Sequence, residues 1–495
     1  VNPTEWNDLD PRTPVMVGVG VAAQHLDEPG AGVEALELMV RATQRAGEDS
    51  GAPRILAAVD RVAVPHGSWH YADPGRIVAD RIGAPDARTV LVQAGIPQQT
   101  LLDDAYTAIR AGSLDVVVVV GGEAARRAAI ARRAGVDAPE TVQADGSPDE
   151  VQVPTTEIIS RIEIEGGIVS AMAPFAIIDS ALRFAEGRSL DEHRDDIARL
   201  WAGFNAVAVS FPHAAFPEPR DVAFLREPSA ANRPFAFPYN KWHCAQMNVD
   251  QAAALVICSL DAARRFDVDP DRVVFPLVAL ESSFSVPVSQ RREMHRWPAM
   301  EVLGRAAEAH LGRSLASIEL VELYSCFPAA VRVVQRALGL PIGGVPTITG
   351  GEAFAGGPWN NFVLQTTAAM VERLRAERTA TGLVTTVSGL LNKPGLAVYA
   401  TRPDRPLLVG DLAEECEGAT ERVTAIAGYR GRATVAAYTV LYDDLEPVRT
   451  TVVADTPDGE RCVAACADAA LARHATEAEL IGTVVEVEAT TFRLL

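Results

Sequence analysis

The residues best suited to chemistry fall in four short segments. Tyr324-Ser325-Cys326-Phe327 places a phenol and a thiol two positions apart. A phenol can donate a hydrogen bond or abstract a proton, and a thiol can act as acid or base. The same pair can equally be an aromatic filler and a small buried apolar residue. Tyr239, His243 and Cys244 stand just ahead of Asn248, with His243 read as a satisfied polar residue rather than a base. Trp359-Asn360-Asn361 follows Gly357-Pro358 and opens a helix, whose first N–H groups bind an anion or a carbonyl oxygen, or are simply capped. Arg126, Arg127, Arg132 and Arg133 form a basic stretch suited to phosphate or to a solvated helix face. His66 and His70 have the i, i+4 spacing of a helical metal pair, but Gly67-Ser68 between them does not read as helix, so no metal is expected.

The elements that must position these groups alternate between strand and helix. Residues 15–20, 57–64, 89–92 and 116–120 read as strands, the last a run of valines suited to a strand covered on both faces. Residues 33–46 carry apolar side chains at helical spacing, and Leu101, Leu102, Ala105, Tyr106 and Ile109 mark a helix after Pro97. Residues 299–307 resemble 35–43, and 318–323 follow them as 59–64 follow the first, so two halves about 260 residues apart predict a duplicated α/β body. Residues 124–247 between them are Pro- and charge-rich and read as an irregular subdomain inserted over the sheet ends. Past 401–406 the rhythm stops. Residues 431–442, 447–454, 460–467 and 482–495 lean to strand, with Asp458-Gly459 as a hairpin turn, and predict a small antiparallel β-domain. The expected division is 1–123, 124–247, 248–404 and 405–495.

A chain of 495 residues with 48% hydrophobic residues can bury sizeable cores, and a net charge of −20 disfavours nucleic acid and anionic lipid as partners. No uninterrupted apolar stretch approaches the roughly 18 residues of a bilayer span. The stretch Val1-Asn2-Pro3-Thr4-Glu5 has neither a basic nor an apolar leader region, and six cysteines without a CxxC pair suit a reducing compartment, so a cytoplasmic protein is expected.

Five segments occur in the order found in thiolases: DVVVVVGGE at 115–123, NVDQAAALVICS at 248–259, ELYSCF at 322–327, GGEAFAGGPWN at 350–360, and Val398-Tyr399. Trp69, Tyr71 and Asp73-Pro74-Gly75 resemble the sterol-carrier-protein type, and the resemblance covers most of residues 12–402. It implies the α/β thiolase fold, a duplicated five-layer αβαβα body with an inserted loop domain, here followed by a β-barrel-like, OB-like domain. It also implies coenzyme A thioesters as the ligand class, with no further cofactor, and Trp359, Asn360, Arg126 and Arg127 as candidate contacts. Thiolase chemistry needs an activated cysteine, an acid/base and oxyanion donors. The resemblance puts Gly95 at the nucleophile's position. The family's His-Asp-Cys-Phe reads Tyr324-Ser325-Cys326-Phe327, its Gly-His-Pro reads Gly356-Gly357-Pro358, and its C-terminal Cys-x-Gly falls at Thr386-Val387-Ser388-Gly389. No cysteine precedes Cys244, so no shift of register restores a nucleophile.

Two readings follow. One is a pseudoenzyme of the acetyl-CoA acetyltransferase family that keeps an acyl-CoA cavity, in lipid metabolism, without thiolysis. The other is an acyltransferase or a C–C lyase of retro-aldol or Claisen type working through Tyr324, Cys326 or both, since thiolase-like aldolases act with a small OB-fold partner. The family default is a homodimer. The altered segment 93–98 lies beside the strand that family dimers pair, which makes a monomer the alternative.

Overall fold

The computed structural model describes residues 6, 8–143 and 146–495; the Val1–Glu5 stretch lies outside them. A first sheet runs in the order Pro14–Gln24, Asp250–Ser259, Val116–Ala124, Arg61–Pro65, Arg88–Val92, Glu150–Gln152. A second runs Leu320–Glu322, Thr381–Ser388, Lys393–Ala400, Phe275–Glu281, Leu408–Asp411. Leaving aside the edge strands Glu150–Gln152 and Leu408–Asp411 and numbering along the chain within each half, the first sheet has the order 3-2-4-5-1, and the second repeats it without the third strand. The predicted duplication is therefore real.

Helices Gln98–Arg110 and Phe362–Ala376 lie between the two sheets, and Ala35–Asp49 and Pro298–Leu311 cover their outer faces. The result is five layers, αβαβα. The valines 116–120 have no solvent exposure, as a doubly covered strand requires. Leu101, Leu102, Ala105, Tyr106 and Ile109 of the first central helix are all buried.

Residues 124–247, read from sequence as irregular, contain three substantial helices, Ala125–Ala134, Met172–Ala185 and Leu190–Ser210, joined by long irregular stretches. The longest opens on a capping box between Ser189 and Glu192. Two physical effects hide these helices from the hydrophobic pattern. Met172–Ala185 is buried on nearly every side, so it shows no amphipathic period. Leu190–Ser210 turns charged residues inward because they meet partners: His193 Nε2 sits 3.2 Å from the Asp179 carboxylate, and Asp196 pairs with Arg332 at 2.6 Å.

Arg430–Asp443, Glu446–Asp455, Arg461–Cys466, Thr491–Leu494 and Val484–Glu488 close in that order into a five-stranded barrel, the last pairing back to the first. Its connectivity, with helix Ala469–Glu477 after the third strand, is that of an OB-type barrel. Asp458-Gly459 makes the expected turn, with Gly459 at φ +80. The terminal strand expected over 482–495 is instead a hairpin bending at Ala489, φ +60, which returns Thr491–Leu494 to the barrel. The barrel is not wholly antiparallel, because Thr491 meets Ala465 in parallel. Nor does it hang free: Leu441 pairs with Ala236, Phe237 N–H donates to Val440 O at 2.8 Å, and Tyr438 N–H donates to Ser180 Oγ at 3.1 Å. Among the described residues no helix is long and apolar enough to cross a membrane.

Candidate active site

Gly95 lies in the turn between strand Arg88–Val92 and the central helix Gln98–Arg110, where a helix N-terminus could activate a nucleophile. Its φ of +100 is a conformation that only glycine adopts easily. A β-carbon there would lie 3.2 Å from Ile158 Cδ1 and 3.3 Å from Pro154 Cγ, both from the inserted segment. Ile158 also packs 2.8 Å from the β-carbon position of Gly389, in the place of the family's C-terminal Cys-x-Gly. One isoleucine thus fills space between Gly95 and the segment in the place of the Cys-x-Gly. The Gly95 carbonyl accepts a 2.7 Å hydrogen bond from the buried Lys393 ammonium, whose pKa burial lowers. Below it, Thr100 donates to Glu281, a carboxyl that burial raises to about 8.

The second half supplies a different set. Tyr324 and Cys326 are both 9% exposed, and Tyr324 meets the Phe362 ring edge-on at 5.7 Å between centroids. Burial raises both their pKa values, and the Glu352 carboxyl raises them further. Glu352 is itself buried; desolvation lifts its carboxyl to about 8, and Oε1 has no hydrogen-bond partner among the described residues. Its backbone N–H bonds Ser325 Oγ at 3.0 Å, which ties it to the Tyr324–Cys326 segment. A β-carbon on Gly357 would stand 3.4 Å from Glu352 Oε2 and 3.1 Å from Ala245 Cβ, so the vacated histidine position opens toward this carboxyl. A phenol, a thiol and a carboxylic acid are thus all held protonated near neutral pH. Such groups donate hydrogen bonds to a developing oxyanion; a thiol so held is no nucleophile. Sequence reasoning missed Glu352, although it lies in the GGEAFAGGPWN segment five residues before Gly357.

The other candidates separate. Tyr239 stacks near Phe327, with its hydroxyl between Phe175 O and Ala329 N–H at 3.3 and 3.2 Å. His243 accepts from Asn240 N–H, and burial drops its pKa to about 3, so it stays neutral. Cys244 is buried, its thiol pKa raised by desolvation. Trp359 is 48% exposed at φ +42, a strained conformation for a bulky residue, beside the exposed Met247 segment that Gly357 N–H bonds through Gln246 O. Asn360 Nδ2 donates to His66 O. Arg126 and Arg127 diverge. Arg127 is buried, donating to Pro139 O and through its backbone N–H to Asp250, whereas Arg126 faces a cavity behind the Gly350–Asn360 segment.

Duplicated halves, a double central helix and a site at the helix N-termini define the thiolase fold. A family profile described as "Thiolase-like protein type 1 additional C-terminal domain" matches residues 411–491. Among solved structures, a monomeric SCP2-thiolase-like protein type 1 from Mycobacterium smegmatis is 26% identical, with a TM-score of 0.83 over 98% of this chain and 100% of its own. The Ltp2-ChsH2(DUF35) aldolase, 18% identical, covers 79% of this chain and 99% of its own at a TM-score of 0.58. The dimeric peroxisomal thiolase of Saccharomyces cerevisiae, 14% identical, covers 81% and 100% at 0.55. No curated protein sequence matches. The chain is a thiolase-superfamily protein with an additional C-terminal domain.

Proposed function

We propose that this protein performs neither thiolysis nor acyl-cysteine condensation and instead binds acyl-CoA against its second half. The observation that carries this is Gly95: no nucleophile, a backbone conformation hostile to one, and Ile158 and Pro154 in the space a cysteine would need. Exposed Met247 and strained, exposed Trp359 flank the Gly357 position and form the proposed mouth for the thioester. Titrating coenzyme A and a panel of short, long and steroid-like acyl-CoAs by calorimetry, with a thiolysis assay on the same samples, tests both halves of the reading. Binding without thiolysis is expected. Absence of binding to every thioester removes the ligand class, and turnover removes the first claim.

A second reading, acyltransfer or C–C lysis, is favoured by Glu352, whose carboxyl joins Tyr324 and Cys326 as a third protonated group. If such a reaction is found, Tyr324→Phe and Cys326→Ser identify its residues; unchanged turnover in both excludes them.

We also propose a cytoplasmic monomer, supported by free cysteines and by the outer edge of Arg88–Val92. That edge is paired in parallel with the chain's own Glu150–Gln152, Val90 opposite Glu150 and Val92 opposite Gln152, so a second copy finds it occupied. Light scattering showing a dimer would refute this.

A further inference from the structure

The loop Phe211-Pro212-His213-Ala214-Ala215-Phe216 leaves helix Leu190–Ser210 and is pinned to the back of the Gly350–Asn360 segment. Ala215 N–H donates to Ala355 O at 3.1 Å and Phe216 N–H to Phe354 O at 2.9 Å. Between this loop, the end of strand Pro14–Gln24 and the start of strand Asp250–Ser259 lies a cavity of about 490 Å³, within the range of small-molecule sites. It is separate from the Tyr324–Cys326–Glu352 group, because the adjacent glycines look opposite ways: a β-carbon on Gly356 would strike Gln251 Oε1 at 2.3 Å, one on Gly357 approaches Glu352.

The polar inventory of this cavity is unbalanced. Its two carboxylates are committed, Asp250 to Arg127 N–H and Gln24 Nε2, and Glu218 to Arg220 at 3.1 Å. Two arginines also face it. Arg45 bonds the Val21 carbonyl, and Arg126 pairs with Asp27, whose side chain is largely exposed, so that pair is weak and exchangeable; Arg126 Nε is buried without a partner. At the inner end Gln251, 3% exposed, spends Nε2 on His213 O at 3.2 Å and Ala355 O at 2.9 Å, which fixes its amide and leaves Oε1 unpartnered among the described residues. Gln365, 9% exposed, has an unpartnered Nε2. Both glutamines, with His213 and Glu372, line a recess of about 10 Å³, room for one water. A buried acceptor and a buried donor left open on residues that line one recess cost about 1–3 kcal/mol each unless something satisfies them.

We propose that this cavity binds a small anion, carboxylate or phosphate, that carries a hydroxyl group: the anionic head on Arg45 and Arg126, the hydroxyl turned to Gln251 Oε1 and Gln365 Nε2, directly or through the single recess water. The site does not rest on the acyl-CoA reading. Calorimetry of the full chain with glycerate and with glycerol 3-phosphate, and with glycerol as the uncharged control, tests it and distinguishes carboxylate from phosphate. At least one anion is expected to bind with Kd below about 1 mM while glycerol does not. Arg126→Ala is expected to weaken that binding about tenfold, and Gln365→Leu severalfold, with Gln365→Leu melting no lower than the parent when ligand is absent. Two outcomes overturn the proposal: neither anion binds, or both variants bind as the parent does.

Discussion

The two halves of the body repeat one connectivity, yet their active-site ends have diverged in opposite directions. Where the thiolase resemblance puts a nucleophile the space of the first half is filled: Gly95 offers no side chain, and Ile158 and Pro154 pack where one would stand. The second half has lost a histidine and kept the space polar, gathering Tyr324, Cys326 and Glu352 around Gly357. Packing with apolar side chains stabilises the fold and ends a function. Keeping an unpartnered carboxyl buried costs stability, and such a cost is tolerated at sites that bind or react. By that criterion the second half is the better place for the proposed function.

The comparison is broken most directly at Glu352. Burial holds its carboxyl at about 8 against an ordinary 4.5, so between those values the folded chain keeps a proton that the unfolded chain releases. Stability from this group is whole below pH 4.5 and falls as pH rises toward 8. Glu352→Gln removes the titration, and urea melts are expected to show the variant gaining roughly 3 kcal/mol on the parent at pH 8 and little at pH 5. Glu322 is the contrast within the same half. Its oxygens accept from Thr347 and Thr349 hydroxyls and from the backbone N–H of Ile348 and Thr349, so Glu322→Gln turns an amide N–H₂ toward donors; burial still lifts this carboxyl to about 7, so the variant is expected to lose stability most at pH 5 and less as pH rises through 7. A loss of stability at pH 5 in Glu352→Gln as large as that in Glu322→Gln would show Glu352 to be structural as well.

At the other end, Gly95→Ala is expected to lower stability by about 2 kcal/mol, the combined effect of a β-carbon at φ +100 and contact with Ile158. Gly95→Cys, combined with Gly357→His, is expected to show no thiolysis, because the filled space remains. Thiolysis by that pair would mean the first half is only lightly closed.

Much of this was legible in residues. The helix positions after Pro97 and the repeat of 35–43 at 299–307 rest on periodicity, which survives burial of one face, and the valine strand on an unbroken β-branched run. The helices of 124–247 were not legible, because Asp179 and His193 are buried against each other across two neighbouring helices and half-buried Asp196 pairs with the distant Arg332, which no local pattern shows. At the site, the loss at Gly95 could be read from type alone. Its closure by Ile158 could not, since the two are 63 positions apart in a segment without periodicity. Nothing in the type or spacing of Glu352 marks it in the sequence; only its depth makes it chemically distinct.

The smallest effect sharpens the contrast furthest. Ile158 is only partly buried, so Ile158→Ala removes modest apolar contact and is expected to cost about 1 kcal/mol in a denaturant melt. Its side chain touches the positions of Gly95 and Gly389. If the first half serves only packing, the variant loses that stability and its acyl-CoA affinity stays with the parent's, since the proposed thioester mouth lies at Gly357, Met247 and Trp359. If Ile158→Ala instead tightens acyl-CoA binding, the isoleucine is a plug over a surviving acyl channel, and the division between a closed half and an active half gives way to one site obstructed from one side.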